Sequence, residues 1–505
     1  MKKIIKRVDK EKFWLMFMVI LVFPCILLGT GTITSGWHLV DDHETIALVG
    51  RKIDEGVSFW SALDRALESD ITHRWRPAYW FFRVLGAYLF GGNSMIHNIF
   101  LCVVGMVCYW LLYQTARNLE CKVMLSHIFA LLVSLGRQYE IWYRVANQEN
   151  AGLLLVAVCL WIMSKQYKEK FSTKAWYDVL LGICAIIGSL MKESFFLLLP
   201  GIILLRLVLE GICQEGGIRK WGSLLIRRLP LWGTALLAFL WSAYMIIFYV
   251  GTAPISYAGV DVDLGWKQVV WDIMKLPKES LNDYVLVTII LFLAMVVGLF
   301  FSRKDLKKIS LGHILWLLFG VYVVVGQVIL YAKSGMWDRY LVPFIVGYGI
   351  IFVVFTDKLV KNKYLYLAYI SVLLVFIGTR GYMSVVRQAI PYAKEGHDIE
   401  KMLDLVSETS DDGGVLVSLG AIETDNCVDM YLENRGVRAV SCYKVEEERE
   451  VWEDDFYISI EEVLKNEWNT VVMEVDYQRL LEYSQIADNY VWQQIGDTFI
   501  VGIEE

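Results

Sequence analysis

Charge is scarce in this chain: 20% of its 505 residues are Asp, Glu, Lys or Arg, against 56% hydrophobic and 14% aromatic residues, with a mean hydropathy of +0.46. An ordinary soluble domain is only about 45–50% apolar. Several chemical signatures are also missing. There is no glycine-rich phosphate loop, no metal-type cysteine spacing, no internal repeat and no low-complexity segment. Most of the nine cysteines, among them Cys25, Cys102, Cys108, Cys159 and Cys184, lie inside apolar runs, where they read as small hydrophobes. Only Cys427 and Cys442 fall in the C-terminal stretch that is rich in Asp and Glu, and spacing does not fix whether they pair. His38, His43 and His73 match no zinc pattern and read as loop polar groups.

What is present is a series of long apolar runs separated by short charged breaks. A bilayer core takes about 20 apolar residues per helix, so the chain reads as an α-helical polytopic membrane protein. The net charge of −6 averages two unlike parts. Residues 395–505 hold 28 Asp/Glu and 7 Lys/Arg, a net of −21, and the remainder carries +15. That shift divides a transmembrane part, 1–390, from an acidic part, 391–505. Nucleic acid is not an expected partner, because the basic residues sit in short loops and not on one face.

Residues 1–12 carry six Lys/Arg and precede FWLMFMVILVFPCILLGTGTI, 13–33. The run is too long for a typical signal-peptide core and lacks a clear cleavage site, so it reads as a first, uncleaved crossing with its start in the cytoplasm. The stretch 77–91 is apolar but short and contains Arg83. Read as a surface helix at the outer face, it leaves 117–122, 165–174, 219–228, 302–308 and 357–363, all basic, on the cytoplasmic side. About eleven crossings result: 13–33, 94–116, 122–140, 149–165, 175–191, 195–210, 229–250, 284–302, 309–332, 339–356 and 364–384. An odd number puts the tail outside. Two large outer loops follow, 34–93 with its surface helices and 251–283. The tail alternates β-rich runs (414–420, 437–443, 470–475, 499–503) with helical spacing at 397–408 and 459–468, the pattern of a small α/β domain.

Five polar clusters then fall on the outer side. Asp41 and Asp42 follow the first crossing; a carboxylate there can take a proton from a hydroxyl or hold an ion. An ordinary solvated loop would also carry such acids. Arg74 and Arg76 stand among Trp75, Tyr79 and Trp80; guanidinium forks suit phosphate, aromatic rings suit sugars or the membrane interface. Glu140, Arg144 and Glu149 cluster after the third crossing. Lys192 and Glu193 are wedged between two apolar runs, where charge is costly unless used; a helix hairpin whose charges reach water is the plain alternative. Arg339 and Tyr340 open the tenth crossing, where a snorkelling arginine is equally ordinary. Acids that activate a nucleophile, beside cations at headgroup level, suit a reaction on a phosphate-linked lipid.

With those residues in view, the sequence resembles the GT-C superfamily of integral membrane glycosyltransferases, near the bacterial mannosyltransferase and aminoarabinose-transferase-like branch. VDDHETIA, RWRPAYWFFRVLGAYLFGGNSMIHN, IWYRVANQENAGLLLV, LMKESFFLLLP and DRYLVP carry the resemblance, over about residues 10–390. It implies a polyprenyl-phosphate-sugar donor used from the outer face and an extracytoplasmic acceptor: a cell-surface glycan, a lipid or a protein. It implies Asp42, with Asp41 beside it, as the loop acid, Lys192 as a contact to the donor phosphate, and Arg339 as the arginine of an Arg-Tyr pair. The family often has an aspartate after the third crossing; here Glu140 or Glu149 stands instead. Neither metal nor cofactor is expected: oxygen-rich cation sites usually take more carboxylates than Asp41 and Asp42 with His43 offer. A transporter or flippase for lipid-linked sugars, or a non-catalytic accessory protein, is the alternative. Transporters tend to place charge at mid-membrane within inverted repeats, and here charge gathers at one face.

Overall fold

The computed structural model describes the chain except residues 1, 40, 54–55, 72–73, 173, 214–217, 250–265, 302–309, 361, 411–413, 420–421, 442–468, 475–489 and 505. His73, Cys442, the basic break 302–308 and the helical pattern 459–468 therefore lie outside the described residues.

Each of the eleven apolar runs contains helix. Among the described residues, seven helices are long and apolar enough to cross a bilayer: Lys10–Gly29, Ser94–Asn118, Glu149–Lys168, Glu193–Cys213, Leu311–Leu330, Asp338–Leu359 and Lys363–Thr409. Two bent pairs, Trp221–Arg227 with Leu229–Tyr244 and Trp266–Glu279 with Asn282–Gly298, raise the number to nine if each is one span. The other two runs form shorter helices, Val123–Ser134 and Trp176–Ser189. At 1.5 Å per residue these extend about 18 and 21 Å, less than the roughly 30 Å hydrocarbon core. The first stops because Leu135 turns extended and Gly136 takes φ +137°, and the 3-10 turn Arg137–Trp142 follows. Among the described residues, two of the eleven apolar runs thus form helices shorter than the hydrocarbon core, because the chain bends out of helix early.

Outward-facing rows of apolar side chains mark the lipid surface. Phe13, Trp14, Met16 and Phe17 on the first helix are exposed, as are Phe100, Val103 and Trp110 on the second, and Leu286, Phe292 and Leu293 further on. Patches of this size are not tolerated on a water-facing monomer; the chain is a multi-pass membrane protein.

The segment after the first span folds into three helices, His43–Ile53, Phe59–Ile71 and Pro77–Phe90. Leu48, Val49, Ala62, Leu63, Ala66, Tyr79, Trp80 and Val84 pack them into a small core of their own, with Met191 from the break before Glu193–Phe196 added to it. The stretch 77–91, read as a surface helix, is thus the third member of this cap.

Among the described residues, the C-terminal part holds a five-stranded sheet: β1 (Val415–Ser418), β2 (Ala439–Ser441), β3 (Thr470–Glu474), β4 (Tyr490–Ile495) and β5 (Phe499–Glu504). Their spatial order is β2-β1-β3-β5-β4. β1 pairs parallel to β2 and β3, whereas β5 pairs antiparallel to β3 and β4. The helix Ile422–Glu433 makes the crossover that a parallel β1–β2 pair needs. The charge-shift boundary near 390 falls within one continuous helix, Met383–Thr409, which begins in the membrane part and ends in this domain.

A buried ion network lies within the apolar run 195–210. Arg206, 1% exposed, reaches Asp178 at 2.7 Å and Glu210 at 2.7 Å. Arg228 joins the same two acids at 2.6 and 2.8 Å, and Arg227 reaches Glu210 at 2.9 Å. Three helices are tied at the end that carries the basic break 219–228. Removing one member of a buried ion network typically costs about 3–5 kcal/mol, because its partners stay buried. Arg206→Met is therefore expected to lower the melting temperature of the detergent-solubilised protein clearly; an unchanged melting curve would contradict the structural role.

Candidate functional site

The first span ends in a loop whose backbone is forced by what it must reach. Gly36 takes φ +83° and Asp41 takes φ +68°, a left-handed conformation uncommon outside glycine, which aspartate adopts more readily than most residues. Asp42 then starts the helix His43–Ile53, its carbonyl accepting from the backbone N–H of Thr45 at 2.9 Å. The two adjacent acids point into different environments. Asp42 is 2% exposed, and its carboxylate accepts from the backbone N–H of His38 at 3.2 Å. Burial raises its pKa from the ordinary aspartate value of 3.8 to about 6, against the opposing pull of Arg83. Asp41 is 47% exposed at its side chain, with Oδ2 3.7 Å from Nη2 of Arg339.

Arg83, counted in the sequence as a charge in an apolar helix and not as a site residue, anchors this loop from below. It forms an ion pair with Glu44 at 2.6 Å, donates to Thr45 Oγ1 at 3.3 Å, and bonds the Tyr79 hydroxyl and the Asp41 carbonyl. An arginine in a 14-residue run otherwise free of charge was the signal for it.

Arg339 gathers the remaining clusters. Its backbone N–H donates to Glu140 Oε1 at 3.2 Å, and its Nη1 donates to Asn147 Oδ1 at 2.8 Å. Glu140 Oε2 in turn lies 3.2 Å from Nε of Arg144, whose guanidinium covers the Tyr392 ring at 5.1 Å. Burial raises the Glu140 pKa, opposed by Arg144 and Arg339. Asp338, next to Arg339, also has positive φ, +41°. Lys192 sits in an extended break between helices and pairs with Glu149 at 2.6 Å; both are nearly fully buried. Its ammonium lies 4.0 Å over the ring of Tyr340, which stacks on Tyr331 at 5.2 Å. Glu149 opens its helix, where the positive end of the helix dipole favours a carboxylate.

Arg76 is engaged by a fork from Asp70, with N–O distances of 2.8 to 3.1 Å, and covers the Tyr79 ring at 4.6 Å. Burial opposes its charge, but Asp70, then Glu193 and Glu44, raise its pKa overall. The half-buried Glu193 thus lies within electrostatic reach of Arg76. Arg74 sits at the end of Phe59–Ile71, its backbone N–H donating to the Asp70 carbonyl at 2.8 Å. The structure therefore brings Asp41, Arg339, Tyr340, Glu140, Arg144, Lys192 and Glu149 into one connected cluster. Arg76 and Glu193 stand along its edge, Arg74 beside Asp70, and Asp42 beneath.

His38 stacks on Tyr392 and His43 contacts Cys427, so neither imidazole turns toward Asp41. Among the described residues no three His, Cys, Asp or Glu side chains converge as metal ligands. Two grooves of about 570 Å³ each run along the first helix and Met383–Thr409 and share no wall residue with the ion cluster.

A helical membrane protein with a cluster of acids and cations at one end of its bundle is the class these features define. The family model described as dolichyl-phosphate-mannose-protein mannosyltransferase matches residues 76–226, the segment that carries Arg76, Glu140, Arg144, Glu149, Lys192 and Glu193. The resemblance read from the sequence is borne out there. Among solved structures, the chain is similar to one titled as the crystal structure of ArnT from Cupriavidus metallidurans bound to undecaprenyl phosphate, at 12% identity, TM-score 0.48 and 97% coverage of both chains. No curated protein matches it.

The raised pKa of Asp42 has a consequence for stability. Folding favours the protonated acid, so this contribution is fully present below pH 3.8 and is lost as pH rises through about 6. Asp42→Asn keeps an acceptor for the His38 N–H and never ionises. It is expected to melt higher than the unmodified protein at pH 7, with the difference vanishing near pH 4. A less stable Asn variant at pH 7 would show that the ionised acid stabilises the fold.

Proposed function

We propose that this protein is a membrane glycosyltransferase that moves a sugar from a polyprenyl-phosphate-linked donor to an extracytoplasmic acceptor, with inversion at the anomeric carbon. The observation that carries the reading is the direct pairing of an exposed carboxylate, Asp41, with a cation, Arg339, inside a cluster that also holds Lys192. The match of 76–226 to a mannosyltransferase family supports it, and so does a lipid-facing helical surface. In this reading the cluster and the C-terminal domain face outward, the chain's first residues lie in the cytoplasm, and no metal or other cofactor takes part.

Of the two loop acids, Asp41 is the base, because its carboxylate reaches solvent whereas that of Asp42 is enclosed. Asp41 takes the proton of the acceptor hydroxyl as its oxygen attacks the anomeric carbon. The bond from that carbon to the phosphate oxygen breaks, and the polyprenyl phosphate leaves with the added negative charge. Arg339 and Lys192 stabilise that charge, and groups aimed at developing charge commonly contribute the largest catalytic effect. Both cations already hold acids, so the phosphate must compete for them. The Asp41–Arg339 contact, 3.7 Å, is longer than the Lys192–Glu149 contact, 2.6 Å. Donor phosphate therefore displaces Asp41 from Arg339 first, which releases the base when the donor is in place.

Asp41→Asn tolerates the left-handed backbone and removes the base. It is expected to lower turnover with a polyprenyl-phosphate-sugar by about 10²- to 10⁴-fold while donor still binds. Retained turnover would exclude Asp41 as the base, and an unmodified protein that moves lipid-linked sugar across a vesicle membrane without transferring it would favour the flippase reading.

A further inference from the structure

The loop that holds Asp41 is packed against the C-terminal domain as well as against the membrane part. Trp37 and Ile46 share a buried core with Ile399, Met402, Leu403, Val417, Leu432 and Phe499, while the Trp37 indole also donates to the Gly92 carbonyl at 2.9 Å and meets the His97 ring. The His38 ring lies flat on Tyr392, centroids 3.4 Å apart at 12°. The Tyr431 hydroxyl donates to the His38 carbonyl, and the His38 N–H holds the Asp42 carboxylate. Cys427 Sγ lies 2.9 Å from Nδ1 of His43. At Gly396 the helix Met383–Thr409 presses so close that an added Cβ would collide with the Ser35 carbonyl oxygen. Residues 35–46 are therefore held from the far side of the chain at four points.

We infer that the C-terminal domain is a working part of the site, with Tyr431 and Gly396 as positioning residues that set the Asp41 carboxylate against Arg339. Asp41 sits in a left-handed conformation that costs of order 1–3 kcal/mol, and such a conformation persists only where surrounding contacts over-determine it. The membrane part supplies Arg83, Gly92, His97 and Arg339 around the loop, and the helix Met383–Thr409 and the domain supply Tyr392, Gly396, Cys427 and Tyr431. The charge-rich C-terminal part thus has a role that its composition does not reveal: its apolar core and one tyrosine hydroxyl hold the acid loop.

The inference rests on the transferase reading for its kinetic arm only. Tyr431→Phe removes one hydroxyl from the clamp, and Gly396→Ala pushes the helix off Ser35. Both are compared with the unmodified full-length protein by hydrogen exchange of residues 35–46 and by transfer kinetics. The clamp predicts faster exchange in 35–46 with the membrane helices unchanged. It also predicts a kcat lower by about ten- to a hundredfold at unchanged KM for donor, since small misplacements of a reacting group cost that much. Should Tyr431→Phe fold poorly, Gly396→Ala carries the test, and the converse holds. Unchanged exchange in 35–46 overturns the clamp. Faster exchange with unchanged kcat overturns the positioning role. An unmodified protein without transfer activity overturns the transferase reading, while the exchange data still decide the clamp.

Discussion

Asp41 and Arg339 join the loop after the first membrane helix to the turn that opens one of the last. The backbone is bent at both ends of this contact, with Asp41 at φ +68° and Asp338 at φ +41°. Side chains rarely adopt such conformations without compensation, which here comes from opposite directions. Arg83 holds the Asp41 carbonyl and Glu44 from the cap of short helices. Glu140 and Asn147 hold the backbone and guanidinium of Arg339. The cap and the ends of the membrane helices together supply these anchors, and the exposed carboxylate is what they leave over.

The cations of the site that carry ion pairs are matched one to one with acids. Arg339 faces Asp41, Arg144 faces Glu140, Lys192 faces Glu149, Arg83 faces Glu44 and Arg76 faces Asp70. Five cations and five acids at the end of a low-dielectric bundle avoid the cost of isolated buried charge. A phosphate entering such a set changes its balance, and the pairs yield in order of looseness. That makes the state of the acid depend on the occupancy of the cation, which is useful where an activated sugar must not be lost to water.

Much of this was legible in the sequence, for a physical reason. Hydropathy is a local property, so every apolar run was found as helix, and charge is so rare among them that each cluster stood out. What depends on contacts distant in sequence was not legible. Nothing local separates Asp41 from Asp42, because their difference in exposure is set by His38, Arg83 and Arg339. Arg206 looked like one more residue in an apolar run, since its partner Asp178 and the second cation on that acid, Arg228, come from elsewhere in the chain. The short helices Val123–Ser134 and Trp176–Ser189 break early through turns that hydropathy averages away. The C-terminal domain showed its α/β alternation and its charge, but not that Tyr431 reaches back to His38.

The coupling of Asp41 to Arg339 during turnover is most directly measured by a double-mutant cycle on kcat/KM with Asp41→Asn, Arg339→Gln and the double variant. If proton acceptor and phosphate cation act as one unit, the double variant is about as slow as the slower single variant. Losses that multiply, as they do for independent sites, would show that the acid and the cation do not work on the same reaction.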